Sequence, residues 1–251
     1  MWTRPYLPRV CSATLPETPA EALVAGLRPG TRLRVLSRDA DDGAATCLWR
    51  IPPGWSHPDD FALAGGEALY VLQGEFSIGD QRYAPGHYSY RPAGRTHEAI
   101  RSHSGALVYA MWDGAPELLL PGSVPIGPEA PILWLDGNAM DESPTPVEGP
   151  VAGIMVRILR RDPVTGGMTL IIRIPPGWEE PRSEHHDCVE ESFKLSGEIW
   201  LRENGEPQTL VAGDYFFRPP RIKHGPMRTE AGTSSLIRFS GTVVNHYGPL
   251  T

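Results

Sequence analysis

Between residues 184 and 194 the chain reads Glu-His-His-Asp-Cys-Val-Glu-Glu-Ser-Phe-Lys, and a further imidazole, His224, follows downstream. Imidazole and carboxylate groups ligate divalent metals and move protons near neutral pH, and a thiol, Cys188, and an amine, Lys194, stand among them. In an extended strand alternate residues share a face, which puts Glu190, Ser192 and Lys194 on one side. Several such groups turned into a small core are costly unless they serve a ligand or a metal. The alternative is a salt-bridged core in which Lys194 pairs with Glu190 or Glu184.

The elements that must position these residues are short. Gly and Pro each occur 27 times in 251 residues, well above an average near ~12% for the two together, and both interrupt helices and strand interiors. Apolar residues make up 40%, enough for a buried core. The expectation is an all-β protein of many short strands, with one helical segment opened by Thr18 and Pro19 and ending near Gly26. Lys and Arg number 23 against 30 Asp and Glu, a net charge of −7, and no basic run is longer than a pair, so nucleic acid has no electrostatic footprint here. Three widely spaced cysteines, Cys11, Cys47 and Cys188, fit neither a disulfide framework nor a CxxC zinc site. No apolar stretch is long enough to span a bilayer, and a cytoplasmic protein without membrane partners is expected.

An internal repeat organises the chain. Residues 34–55, RVLSRDADDGAATCLWRIPPGW, align without a gap to 157–178, RILRRDPVTGGMTLIIRIPPGW, with 12 of 22 positions identical. The register continues through Glu67 and Glu190 and through Gly74 and Gly197; GHYSYRPAGRTH at 86–97 then matches GDYFFRPPRIKH at 213–224. Two barrels or sandwiches are expected, over 1–115 and 150–251, joined by a Pro-rich connector, 116–149, with one strand at Ile132 to Leu135. Asn204-Gly205 is a strong two-residue hairpin signal.

The motif residues resemble those of cupins, small jelly-roll β-barrels. Glu67-x6-Gly74 and Gly86-x5-Pro92-x-Gly94-x2-His97 fit the cupin motifs in the first copy, and His186-x3-Glu190-x6-Gly197 with Gly213-x5-Pro219 and His224 fit them in the second. The chain thus resembles a tandem cupin, or bicupin, and is most similar to bacterial bicupins related to the metal-binding domain of the anti-sigma factor ChrR. The resemblance implies one divalent metal per intact barrel, held by three His and a Glu. In the first copy Phe61 and Leu63 fill the two His positions, so no metal is expected there, and Glu67 and His97 read as a hydrogen-bonded core pair. His57 reads as a loop histidine. In the second copy the corresponding set is Glu184, His186, Glu190 and His224, and Ser192 and Lys194 replace Leu69 and Val71.

A divalent ion (Fe, Mn, Ni or Zn) is therefore expected in the C-terminal barrel alone, on His186, Glu190 and His224, with Glu184 as a fourth ligand or an outer acid/base. His185 has the opposite strand parity and should face away. Arg221 stands where the motif has Gly, which challenges the local turn. Lys194, Ser192, Tyr215 and Phe217 are the expected substrate-binding residues, Lys194 for a carboxylate or enolate and the aromatics for an organic body. The implied function is a metal-dependent enzyme, an oxygenase of dioxygenase type, acting on a small oxygenated organic molecule. Isomerase, hydrolase or decarboxylase chemistry would use the same ligands, and a non-catalytic metal or small-molecule sensor is the alternative. The expected partner is a small-molecule substrate, and a homodimer is allowed.

Overall fold

The computed structural model describes residues 4–126, 131–145 and 153–250. Its described elements are strands and three 3-10 turns. The expected N-terminal helix is absent: Thr18–Pro19 form a short strand and Ala20–Ala22 a single 3-10 turn. Thr18 Oγ1 donates to the carbonyl of Leu33 across the sheet at 3.4 Å, so this hydroxyl serves the sheet instead of capping a helix. No helix among the described residues is long and apolar enough to cross a membrane.

The chain divides into two units, Leu15–Ala139 and, together, Met1–Thr14 and Met140–Thr251. This corrects the expected boundaries at 115 and 116; the boundary at 149 and 150 lies outside the described residues. The reason is strand pairing. Each copy of the repeat is preceded by an edge strand, and each edge strand pairs within the unit built by the other copy. Leu7–Cys11 runs antiparallel to Asp214–Arg218, with Val10 opposite Tyr215. Leu133–Asp136 runs antiparallel to His87–Arg91, with Leu135 opposite Tyr88. The connector is thus partly a working strand of the first barrel.

In the Leu15–Ala139 unit the main sheet brings Glu67–Gly74 between His87–Arg91 and Ala106–Trp112. Its inward face is closed by aliphatic and aromatic side chains, among them Leu69, Val71, Val108 and Phe76, in one continuous core. In the second unit the corresponding strand, Glu190–Glu203, lies between Asp214–Arg218 and Thr233–Phe239. Here the apolar residues form separate clusters, one around Trp178, Leu201 and Leu210 and another around Val156, Leu170 and Phe239. The two copies share a backbone but fill it differently.

Two details show why the motif residues recur. Gly74 and Gly197 both have positive φ, and a Cβ on either would sit 2.1 Å from Gly105 O or 2.0 Å from Gly232 O, so only glycine lets the neighbouring strand approach. Asn204 and Gly205, with φ of 50° and 91°, make the two-residue turn between Glu190–Glu203 and Glu206–Val211 that the sequence signals,. Arg221 keeps the turn of its counterpart Gly94: φ is 71° and 75°. Its amide donates to His186 O at 2.8 Å, as that of Gly94 donates to Leu63 O at 2.9 Å. A positive φ in a non-glycine residue costs on the order of 1 kcal/mol, offset here by fixing the strand end that carries His186.

Candidate metal centre

Strand pairing brings the expected ligands together. Glu184 and His186 lie on Arg182–His186, whose Glu184 pairs with His224 at the start of His224–Arg228; Glu190 opens the long central strand. All four side chains are buried. Ligand atoms of Glu184, His186 and His224 lie within 4.8 Å of one another, with Glu184 Oε1 3.5 Å from His224 Nε2. Glu190 Oε2 is 3.8 Å from His186 Nε2 and 3.9 Å from His224 Nε2.

Their states suit ligation. His224 Nδ1 donates to Ile222 O at 3.2 Å, which turns Nε2 toward the carboxylates,. Burial pushes His186 down against the opposing pull of Glu190, so it stands neutral at pH 7. Glu190 accepts from Arg218 Nη1 at 2.9 Å, and the same guanidinium donates through Nη2 to Glu203 Oε2 at 2.8 Å. Burial alone would raise the Glu190 carboxyl, but Arg218, His224 and His186 outweigh it and hold it at about 2. Glu190 is thus committed to Arg218, whereas Glu184 Oε2 is buried without a partner. Burial pushes the Cys188 thiol up to about 11, so no thiolate is available at neutral pH.

The same side chains line a cavity of about 130 Å³. Its apolar walls include Val156, Leu170, Ile237 and Phe239, and its polar wall includes Ser192, Lys194, Ser235 and Asn245. Lys194 forms neither of the expected core salt bridges: Arg218 takes Glu190, and Lys194 Nζ donates to Thr233 Oγ1 at 3.3 Å. Burial first, then the charge of Arg218, lowers its amine to about 7.

Tyr215 and Phe217, expected at the substrate, are not among the cavity-lining residues. Tyr215 donates to Glu191 Oε2 at 2.8 Å and Phe217 carries the Arg4 guanidinium 5.6 Å from its ring centre; both lie on the sheet face away from the cavity, and Phe216 and Arg218 of the opposite parity line the cavity,. Ser235 and Asn245 were missed. His185 faces away as its parity requires, its ring 4.9 Å from that of His246, whose Nε2 lies 2.8 Å from Asp187 Oδ2.

Among the described residues the first barrel offers no such ligand cluster. Phe61 stacks on His97 with ring centres 4.5 Å apart, and the corresponding cavity is only about 20 Å³, room for about one water. Glu67 and His97 are not the hydrogen-bonded pair expected. They lie 3.6 Å apart, and Glu67 Oε1 instead accepts from Trp112 Nε1 at 2.9 Å. His57 is buried rather than on a loop: its Nδ1 accepts the Arg28 amide at 3.2 Å.

Burial raises the Glu67 carboxyl and lowers the His97 imidazole well below its usual range. As pH falls through about 6.5 the unfolded chain takes up a proton that folded His97 refuses, so stability falls. As pH rises above about 4.5, folded Glu67 keeps a proton that the unfolded chain releases, and stability falls in that direction too. Urea titrations of this unit at several pH values are expected to show the acid-side slope shrinking in His97→Gln and the other slope shrinking in Glu67→Gln.

A β-barrel with imidazoles and carboxylates clustered on its inner face in this motif order has the cupin fold. The chain belongs to the family described as a domain of unknown function, DUF4437, which matches residues 18–246. Among solved structures, a candidate dioxygenase from Nostoc punctiforme PCC 73102 superposes with a TM-score of 0.82 at 19% identity, over 98% of this chain and 92% of that one. Oxalate decarboxylase from Bacillus subtilis gives 0.58 at 15% identity, over 95% and 77%. Among curated proteins, 3-hydroxyanthranilate 3,4-dioxygenase from Burkholderia lata is 34% identical over 67 residues, 24% of this chain. The match spans 38% of that relative's length.

Proposed function

We propose that the protein is a bicupin with one working barrel, in which Glu184, His186 and His224 hold a divalent metal and the adjoining cavity binds a small oxygenated organic substrate for a dioxygenase-type reaction. The observation that carries this reading is the convergence of three buried donor groups, one with an unpartnered carboxylate oxygen, on the wall of a cavity far larger than its counterpart in the first barrel. Two imidazoles and one carboxylate make a facial set suited to Fe, Mn, Ni or Zn. Glu184 thus takes the carboxylate place expected for Glu190, and Glu190 sits beside it under the hold of Arg218. The names of the similar proteins support the dioxygenase class.

When bound, the ion supplies Lewis-acid polarisation and open positions for oxygen ligands. The chain supplies the rest. Val156, Leu170, Ile237 and Phe239 exclude water from one side of the cavity, which strengthens electrostatic interactions within it. Arg218 keeps Glu190 ionised next to the two histidines. Lys194, with its amine near neutrality, is poised to hold or accept a proton at Nζ.

Metal content of the purified protein is expected near one equivalent, and near zero in His186→Ala and His224→Ala. His97→Gln and His246→Ala, which alter the first barrel and the outward-facing His185, Asp187 and His246 group, should retain it. Near-zero metal in the unaltered protein, or full retention in both cavity variants, contradicts the proposal. Oxygen uptake by the metal-loaded protein with 3-hydroxyanthranilate is the first assay of the reaction class.

A further inference from the structure

The repeat supplies an internal control for the polar wall of the cavity. Lys194 lies directly opposite Ser235 on the neighbouring strand, and Ser192 lies two residues along on the same face. In the first barrel Val71 lies opposite Val108, with Leu69 two residues along, all buried in its core. Thus three positions that can be filled by aliphatic side chains in this very backbone carry an amine and two hydroxyls in the second copy.

None of the three is satisfied as a core group should be. Ser192 Oγ and Ser235 Oγ are buried without a hydrogen-bond partner, each residue being 1% exposed, and a buried donor left unpaired costs about 1–3 kcal/mol. Lys194 is 5% exposed, and its hydrogen bond to Thr233 Oγ1 is long, at 3.3 Å. Arg218, the other cation lining the cavity, is already held by Glu190 and Glu203. A buried ammonium needs a counter-charge, and the cavity is where one can enter.

We propose that Lys194, Ser192 and Ser235 form a carboxylate-binding subsite, so that the second barrel takes a small organic acid whose carboxylate sits on this wall and whose body lies against the apolar walls. The inference rests on reading the second barrel as the ligand-binding one and names the substrate class for it. One ammonium and two neutral hydroxyls match a planar monoanion. A phosphate dianion calls for guanidinium pairs or a nest of free backbone amides, and on these strands the amides are used in pairing. The lowered amine of Lys194 is consistent: an anion beside it restores the proton that burial weakens,.

The test is calorimetric titration of the full chain with benzoate, its neutral analogue benzamide, and inorganic phosphate. Benzoate is expected to bind at least tenfold more tightly than benzamide, and phosphate not to compete. Ser192→Leu, Lys194→Val and Ser235→Val copy the residues of the first barrel, so the triple variant should fold with a melting temperature at or above that of the unaltered protein and lose the benzoate preference while keeping its metal. Lys194→Val alone should lose most of the preference. In His224→Ala, stripped of metal, the preference should weaken but persist. A preference abolished in His224→Ala and untouched in Lys194→Val would place the carboxylate on the metal and overturn the subsite. Equal binding of benzoate and benzamide, or tighter binding of phosphate, would overturn it as well. Failure of the metal reading shows instead as no metal in the unaltered protein with the benzoate preference intact.

Discussion

Arg218→Met lowers the stability of the unit that carries it by about 3–5 kcal/mol, the cost of removing one partner from a buried ion cluster, whereas Arg91→Met at the matched position of the first barrel changes stability by less than about 1 kcal/mol. Arg218 bridges two buried carboxylates, Glu190 at 2.9 Å and Glu203 at 2.8 Å, and its own ionisation is driven up by them against burial. Without it both acids must either pair elsewhere or take up protons. Arg91 has buried Nε and Nη1 atoms without hydrogen-bond partners, so a hydrophobic side chain of similar length removes a cost along with the charge. The pH dependence separates the two further. Glu190, held at about 2, contributes stability that is present above the unfolded carboxylate value and lost only as pH falls toward 2. In Arg218→Met the carboxyl is no longer held so low, so this contribution and its acid-side loss both shrink,. Thermal and urea unfolding of the two variants, side by side at pH 5 and pH 8, checks the contrast; equal losses would contradict it.

Deleting residues 1–11 is expected to cost the second unit at least about 3 kcal/mol while leaving the Leu15–Ala139 unit at its original stability. The segment places Arg4 over the Phe217 ring and pairs alongside Phe217 and Tyr215, both fully buried, and a large apolar side chain is stabilised by about 1.5–3 kcal/mol on burial. It also carries Arg4, 3.4 Å from Glu191, Tyr6, which donates to Glu203 at 2.8 Å, and Arg9, which donates to Asp214 at 2.9 Å. Glu191 would be left to Arg238 and Tyr215. Two unfolding transitions are expected, with the lower one moved down by the deletion and restored by a synthetic peptide of residues 1–14, because strand addition at an open edge supplies the same main-chain bonds. A uniform loss in both transitions, or no rescue, would contradict this assignment.

The part of this architecture that repeats was legible in the chain. The matched stretches 34–55 and 157–178 fall one in each compact unit, and period-two alternation placed Glu190, Ser192 and Lys194 on one face, where the structure has them lining the cavity. Tyr215 and Phe217 went astray because aromatic character was allowed to decide which face of their strand met ligand. What decides it is the other face, where Tyr215 meets Glu191 and Arg4, from the far end of the chain, lies over the Phe217 ring. Local pattern carries no signal of so distant a partner. Ser235, by contrast, had a signal: aligning Ala106–Trp112 with Thr233–Phe239 sets it against Val108, the same comparison that exposed Lys194 against Val71. Arg218 repeats as Arg91, but its clamp on Glu190 was not legible, because the guanidinium is shared with Glu203, a residue outside the matched motif positions. That clamp is why Glu184, not Glu190, is the free carboxylate.

The crossed edge strands also set an order of assembly. During synthesis the first unit has its whole complement of strands once residue 136 has emerged, so it closes early, with residues 7–11 left hanging from it. The strand those residues must join, Asp214–Arg218, is made only about 200 residues later,. Until they meet, the second barrel presents an open edge with free amides and carbonyls, the form in which a sheet recruits strands from other molecules. Closing a loop of this length costs only slightly more than closing a short one, so at low concentration the chain's own strand wins. At high concentration the same strand from a neighbouring molecule competes on nearly equal terms, and exchanged dimers that persist after dilution are the expected by-product of refolding a concentrated sample.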